Sequence, residues 1–149
     1  MRLVLQRVSR AKVTVGGEVT DEIGAGLMIL VGVGKEDTSA TAVAMAEKAA
    51  NLRIFEDEQG KMNLSLLDVK GGALVVSQFT LYGDARGQRR PSFMAAAAPE
   101  LAKKLYEEFC AAMRGLGIEA GTGIFQATMS VELVNEGPVT ILLDSEKNF

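Results

Sequence analysis

The stretch Ser77-Gln78-Phe79-Thr80-Leu81-Tyr82 sets hydroxyls, an amide and a phenol into a run that otherwise reads as a strand. Side chains on a strand alternate between faces, so Ser77, Phe79 and Leu81 share one side and Gln78, Thr80 and Tyr82 the other. The second face is either the floor of a polar pocket or a surface that meets water. Just beyond it, residues 85–99 hold Arg86, Arg89 and Arg90 and no acid. A guanidinium fork donates two parallel bonds to a phosphate, so the trio suits either a polyanion or a solvated loop. A third stretch, Asn135-Glu136-Gly137-Pro138, stands between two apolar runs. A tight hairpin prefers Asn-Gly or Asp-Gly, and proline removes a ladder donor. The segment reads as a turn between strands, unless its backbone has a task of its own.

What is missing narrows the chemistry further. The chain has 0 His and 1 Cys. That removes the usual base near neutral pH, the usual metal ligand and every Ser-His-Asp arrangement. A zinc site built by this chain alone lacks its ligands. Cys110 falls beside the apolar stripe of a helix and reads as a small buried hydrophobe. The segment Gly32–Asp37 imitates a phosphate loop, but Ile29 and Glu36 stand where glycine and Ser/Thr are needed. Gly24-Ala25-Gly26 lacks the third glycine of a dinucleotide fingerprint. No cofactor and no metal are expected. Chemistry must come from carboxylates, lysines, hydroxyls, backbone groups or the substrate itself.

The elements that would hold these residues follow from patterning. A chain of 149 residues, 48% hydrophobic and 23% charged, suits one domain, 1–149, with a real core. Lys+Arg 16 against Asp+Glu 19 gives a net charge of −3, which excludes a strongly basic coat but not a local basic patch. Residues 27–31 are the longest aliphatic run, too short to span a bilayer, and Arg2 and Arg7 interrupt the opening apolar stretch.

Residues 2–9 alternate as a strand with Leu3, Leu5 and Val8 inward. A hairpin turning at Gly16-Gly17 packs Val13, Val15 and Val19 on one side. Residues 26–34 read as a strand buried on both faces. A helix opens at Asp37, Thr38 or Ser39, with Val43, Ala46 or Glu47, and Ala50 at helical spacing. A strand leaves it and turns at Gln59-Gly60. A long strand then starts after Gly71-Gly72 and runs through Tyr82. Pro99 and Glu100 start a second helix whose Leu101, Leu105, Phe109 and Met113 make one stripe, closed by Gly115 or Gly117. Strands near 118–126, 128–134 and 139–144 follow. Groups of strands broken by two main helices predict an α+β fold with mainly antiparallel, barrel-like or sandwiched sheets.

Read together, "SQFTLYGD", "RRPSF", "NEGPVTILLD" and the opening "RLVLQRVSRAKV" resemble the D-aminoacyl-tRNA deacylase family over essentially the whole length. The resemblance implies an enzyme that cleaves the ester between a D-amino acid, or glycine, and the 3′ end of tRNA. Such a protein is a cytoplasmic homodimer in chiral proofreading, with no DNA or membrane partner. It implies that Gly137-Pro138, in cis, crosses into the partner's pocket as a gate, with Arg7 helping to fix it. Ser77, Gln78, Phe79 and Thr80 would form the pocket for the terminal adenosine and the ester, with Gln78, Phe79 and Thr80 at the catalytic centre. Phe125 and Met129 would hold the adenine. Arg86, Arg89 and Arg90, together with Lys103-Lys104, would steer the acceptor stem. Gln126 and Thr128 depart from the smaller or acidic residues of many relatives. Two other readings stay open: a small-molecule esterase on the same scaffold, and a non-catalytic RNA-binding dimer.

Overall fold

The computed structural model describes residues 1–149. Its centre is one long strand, β1 (Arg2–Val15), which pairs along one edge with β8 (Ser130–Asp144). Its other edge is shared: residues 2–8 pair with β3 (Gly26–Gly32), and residues 11–15 with β2 (Glu18–Ile23). From β3 the sheet continues in parallel through β6 (Gly72–Ser77) to β7 (Ala120–Thr122). The far edge curls back toward β2, where Asp21 Oδ2 accepts from Thr122 N at 3.1 Å. The result is an α+β fold whose sheet is barrel-like and nearly closed. A separate ribbon of β4 (Phe55–Glu56) and β5 (Met62–Leu64) turns at Gln59-Gly60.

Two long helices cover one sheet face. In α1 (Ser39–Asn51), Thr38 is the cap and accepts from Thr41 N. Its buried face is Ala42, Met45, Ala46, Ala49 and Ala50. Val43 points outward, contrary to the pattern expected. The four-residue α2 (Leu66–Val69) was not expected; a Ser65–Asp68 capping box holds it. In α3 (Pro99–Gly115), Leu105, Phe109 and Met113 are buried as predicted, joined by Ala102, Tyr106 and Cys110, whereas Leu101 is half-buried. These side chains meet Leu3, Leu5, Leu27, Ile29 and Val31 in the main core. Val8 is inward too, but toward a second cluster on the opposite face with Val13, Met28, Leu74 and Val76.

Four expectations about the strands fail. Val19 is exposed because the β1–β2 register shifts between Val13 and Thr14, which reverses the faces beyond it. The long strand stops at Ser77, and Phe79–Tyr82 form a 3-10 turn instead. The strict face alternation read for residues 77–82 therefore does not exist. Finally, the strands at 128–134 and 139–144 are one strand, not two arms of a hairpin. Both flanks pair with β1: Asn135 faces Val8 and Thr140 faces Gln6. Residues 136–139 are an excursion opposite Arg7 alone. The strand expected at 118–126 shrinks to β7.

Candidate functional site

The carboxyl ends of the parallel strands β3 and β6 open into a cavity of about 610 Å³. Ligands in open sheets collect at such strand ends. The last rung of the β3–β6 ladder is Gln78 N donating to Val31 O at 2.8 Å, and beyond it the chain leaves the sheet for the turn Phe79–Tyr82. This site turn forms one wall of the cavity with Ser77, Gln78, Phe79 and Thr80. Its own bonds are Leu81 N to Gln78 O and Gly83 N to Thr80 O. The amides of Phe79 and Thr80 thus lie ahead of that ladder, where a helical turn leaves its donors free.

Phe125 and Met129, from the β7–β8 connection, line the same cavity, as does Gln126, whose backbone has φ 66°. Phe125 is backed by Tyr106 at 6.2 Å between ring centroids, and the Tyr106 hydroxyl donates to Val75 O at 2.7 Å. Burial pushes the Tyr106 phenol well above its usual range, so it stays protonated as a donor. The start of α3, Pro99 and Ala102, closes the third side. Sequence reasoning assigned no role to Phe93, which meets Phe79 edge-on at 5.0 Å and also lines the cavity. The signal for it is the phenylalanine that closes the "RRPSF" motif.

No lining residue carries a titratable side chain. Phe79 and Thr80 are exposed to it, and Gln78 Nε2 donates to the Thr80 hydroxyl. That bond leaves Thr80 beside an amide, with no base to take its proton.

Gly137, Pro138 and Arg7 lie elsewhere. The Gly137-Pro138 bond is cis, and both residues are exposed at the tip of the excursion from β8. Arg7 is buried beneath them. Its Nε donates to Glu136 O at 3.0 Å, Nη1 donates to Ile54 O at 2.9 Å, and Glu56 stands 3.8 Å from Nη2. Asn135 ties the base of the excursion. Its Oδ1 accepts from Val139 N at 2.9 Å, while Nδ2 donates to Gln6 Oε1 at 3.1 Å and Thr140 Oγ1 at 3.2 Å. Gly137 has φ 131°, and a Cβ there would come 3.0 Å from Arg7 Nη2 and 2.8 Å from Val139 Cγ2. Only glycine fits.

The arginine loop is closed by a bridge between Asp84 and Ser92. Arg86 grips Asp84, Nε to Oδ1 at 2.9 Å and Nη2 to Oδ2 at 2.7 Å, and holds that carboxyl far below the usual range. Residues 85–99 themselves hold no acid; the partner of Arg86 is the residue just before them. Arg89 and Arg90 are exposed and make no ion pair. Lys103 pairs along its own helix with Glu107 at 3.9 Å.

The sequence and the barrel-like α+β fold have counterparts among known proteins. A family model described as D-Tyr-tRNA(Tyr) deacylase matches residues 4–144. The chain belongs to that family. It is 62% identical to a D-aminoacyl-tRNA deacylase of Koribacter versatilis over 100% of both chains. With the protein of that name from Thermus aquaticus it shares 58% over 99% of this chain and 97% of the other. Among solved structures, one titled c-Myc DNA Unwinding Element Binding Protein superposes with TM-score 0.91 at 42% identity, covering 97% of this chain and 99% of that one. A second, titled as a probable eukaryotic D-amino acid tRNA deacylase, has TM-score 0.84 at 18% identity over 95% and 97%, and is alike in fold.

Proposed function

We propose that this chain hydrolyses the ester joining a D-amino acid to the 3′ end of tRNA, and glycine mischarged on tRNA(Ala), while sparing L-aminoacyl esters. The observation that carries the mechanism is the cavity without a titratable side chain. An aminoacyl ester is already activated and needs no strong base. The free amides at the head of the site turn suit a developing oxyanion, commonly the largest single catalytic contribution. Thr80, lacking a base, positions rather than attacks. Water attacks with help from the terminal adenosine's own 2′-hydroxyl. Phe125 and Met129 hold the adenine, and Ser77 and Gln78 complete the polar wall.

Gly137 and Pro138 do not line the cavity of their own chain, so their action on it requires a second copy. In the homodimer the gate of one subunit enters the pocket of the other. Rigid main-chain atoms then test where the α-substituent points rather than what it is. An L side chain collides, a D side chain projects away, and glycine passes. Rejection by collision tolerates many side chains, which proofreading requires. No helix is long and apolar enough to cross a membrane; a cytoplasmic setting follows from the tRNA substrate.

The deciding experiment charges one tRNA with D- and with L-tyrosine and follows release. D-tyrosine is expected to leave rapidly and L-tyrosine at its spontaneous rate; equal enzymatic release of both overturns the proposal. Free D-tyrosine methyl ester should be a poor substrate, because adenosine contacts place the ester. A tRNA ending in 2′-deoxyadenosine should be cleaved far more slowly. Undiminished turnover there removes the substrate's hydroxyl from the mechanism.

A further inference from the structure

The far end of the site turn is held by a residue remote in the chain. Leu81 O accepts from Arg2 Nη1 at 3.0 Å. The same guanidinium lies 4.5 Å from the centre of the Tyr82 ring, so one side chain grips two consecutive residues of the turn. Asp144 faces the Arg2 Nε at 3.5 Å, and Phe149 covers the guanidinium at 5.5 Å. The Nε has no hydrogen-bond partner, so Asp144 contributes charge rather than a directed bond. Tyr82 is buried against Gly34, where a Cβ would lie 2.6 Å from its hydroxyl oxygen.

These interactions complete a pair of anchors. Val31 of β3 fixes the entry of the turn through Gln78 N, and Arg2 of β1 fixes its exit. Phe79 and Thr80 stand between. A four-residue turn has too few internal bonds to hold its own shape. An arginine suits the exit better than a lysine, because its planar fork can donate and stack at once.

We infer that Arg2 is a positioning residue of the deacylase site, holding Leu81 O and the Tyr82 ring so that Phe79 and Thr80 keep their places at the cavity wall. The inference rests on the reading of that cavity as the hydrolytic site. Arg2 lies outside the cavity lining, so its loss should spare substrate binding and act on the chemical step.

The test compares Arg2→Gln and Arg2→Lys with the unaltered protein. It measures kcat and KM for D-tyrosyl-tRNA, and amide exchange of a peptide spanning residues 78–83. Arg2→Gln is expected to lower kcat about 10- to 100-fold with KM within about twofold, the scale of a misplacement near 1 Å. Exchange at residues 78–83 should quicken while α3 keeps its protection. Arg2→Lys, which keeps charge and stem, should recover part of kcat. A folded Arg2→Gln protein with unchanged kcat, or with unchanged exchange at 78–83, overturns the inference. If Arg2→Gln does not fold, Arg2→Lys decides: wild-type kcat and exchange there count against it equally. Should the unaltered protein fail to release D-tyrosine, the proposed function falls, and the exchange experiment still judges the anchor.

Discussion

Cys110 is the only thiol in the chain, and it is buried on α3. Burial pushes it up to about 11, so near pH 8 only about one molecule in a thousand carries the thiolate. Iodoacetamide should label the folded protein far more slowly than the unfolded one, and Cys110→Ala should keep D-tyrosine release. The same shift has a stability signature. The folded thiol holds its proton more tightly than the unfolded one, which titrates near about 8.5. The contribution is therefore complete below that pH and is lost as pH rises toward about 11. Urea midpoints measured across that window should fall, and in Cys110→Ala they should fall less.

The excursion in β8 depends on Asn135. Three hydrogen bonds meet on its side chain, and Asn135→Ala removes them while leaving Val139 N without its acceptor. A loss of about 1–3 kcal/mol in unfolding free energy is expected. Faster amide exchange confined to residues 135–140 would show that the cost is local. The two long helices were legible in the sequence because their signals are local: Pro99 at the first helical position, Thr38 as a cap, apolar residues at i and i+4. The site turn was not. Phe79, Thr80 and Tyr82 are good strand formers, and the contacts that flank the turn come from Val31 and Arg2, far away in sequence. β8 looked like two strands because Gly-Pro ordinarily ends one. The strand that carries the ladder past it is β1, at the other end of the chain. Of the residues singled out by the motifs, Ser77, Gln78, Phe79, Thr80, Phe125 and Met129 line one cavity, while Gly137 and Pro138 stand outside that lining at an exposed tip.

At the scale of the whole molecule, a chain of net charge −3 must bind a polyanion through a local patch. Because Arg86 is committed to Asp84, Arg89 and Arg90 are the free cations of that loop. Replacing both with alanine should weaken tRNA binding and make log K less steep against log salt, by about one unit for each phosphate no longer neutralised. Arg86→Ala should change the slope less. Sedimentation should give twice the 15.8 kDa chain mass, and a monomer at assay concentration would leave the gate without a pocket to enter.

The excursion opposite Arg7 is fastened at both feet to the same neighbouring strand, β1, and is backed by a buried guanidinium. If this excursion is the proposed gate, anchoring of that kind makes it a sieve that should not loosen as thermal agitation grows. Warming should speed removal of the D-amino acid while release of the L-amino acid stays at its spontaneous rate, until the protein itself melts. Enzymatic L release appearing well below the melting point would mean that stereochemical sorting is done by something that swings.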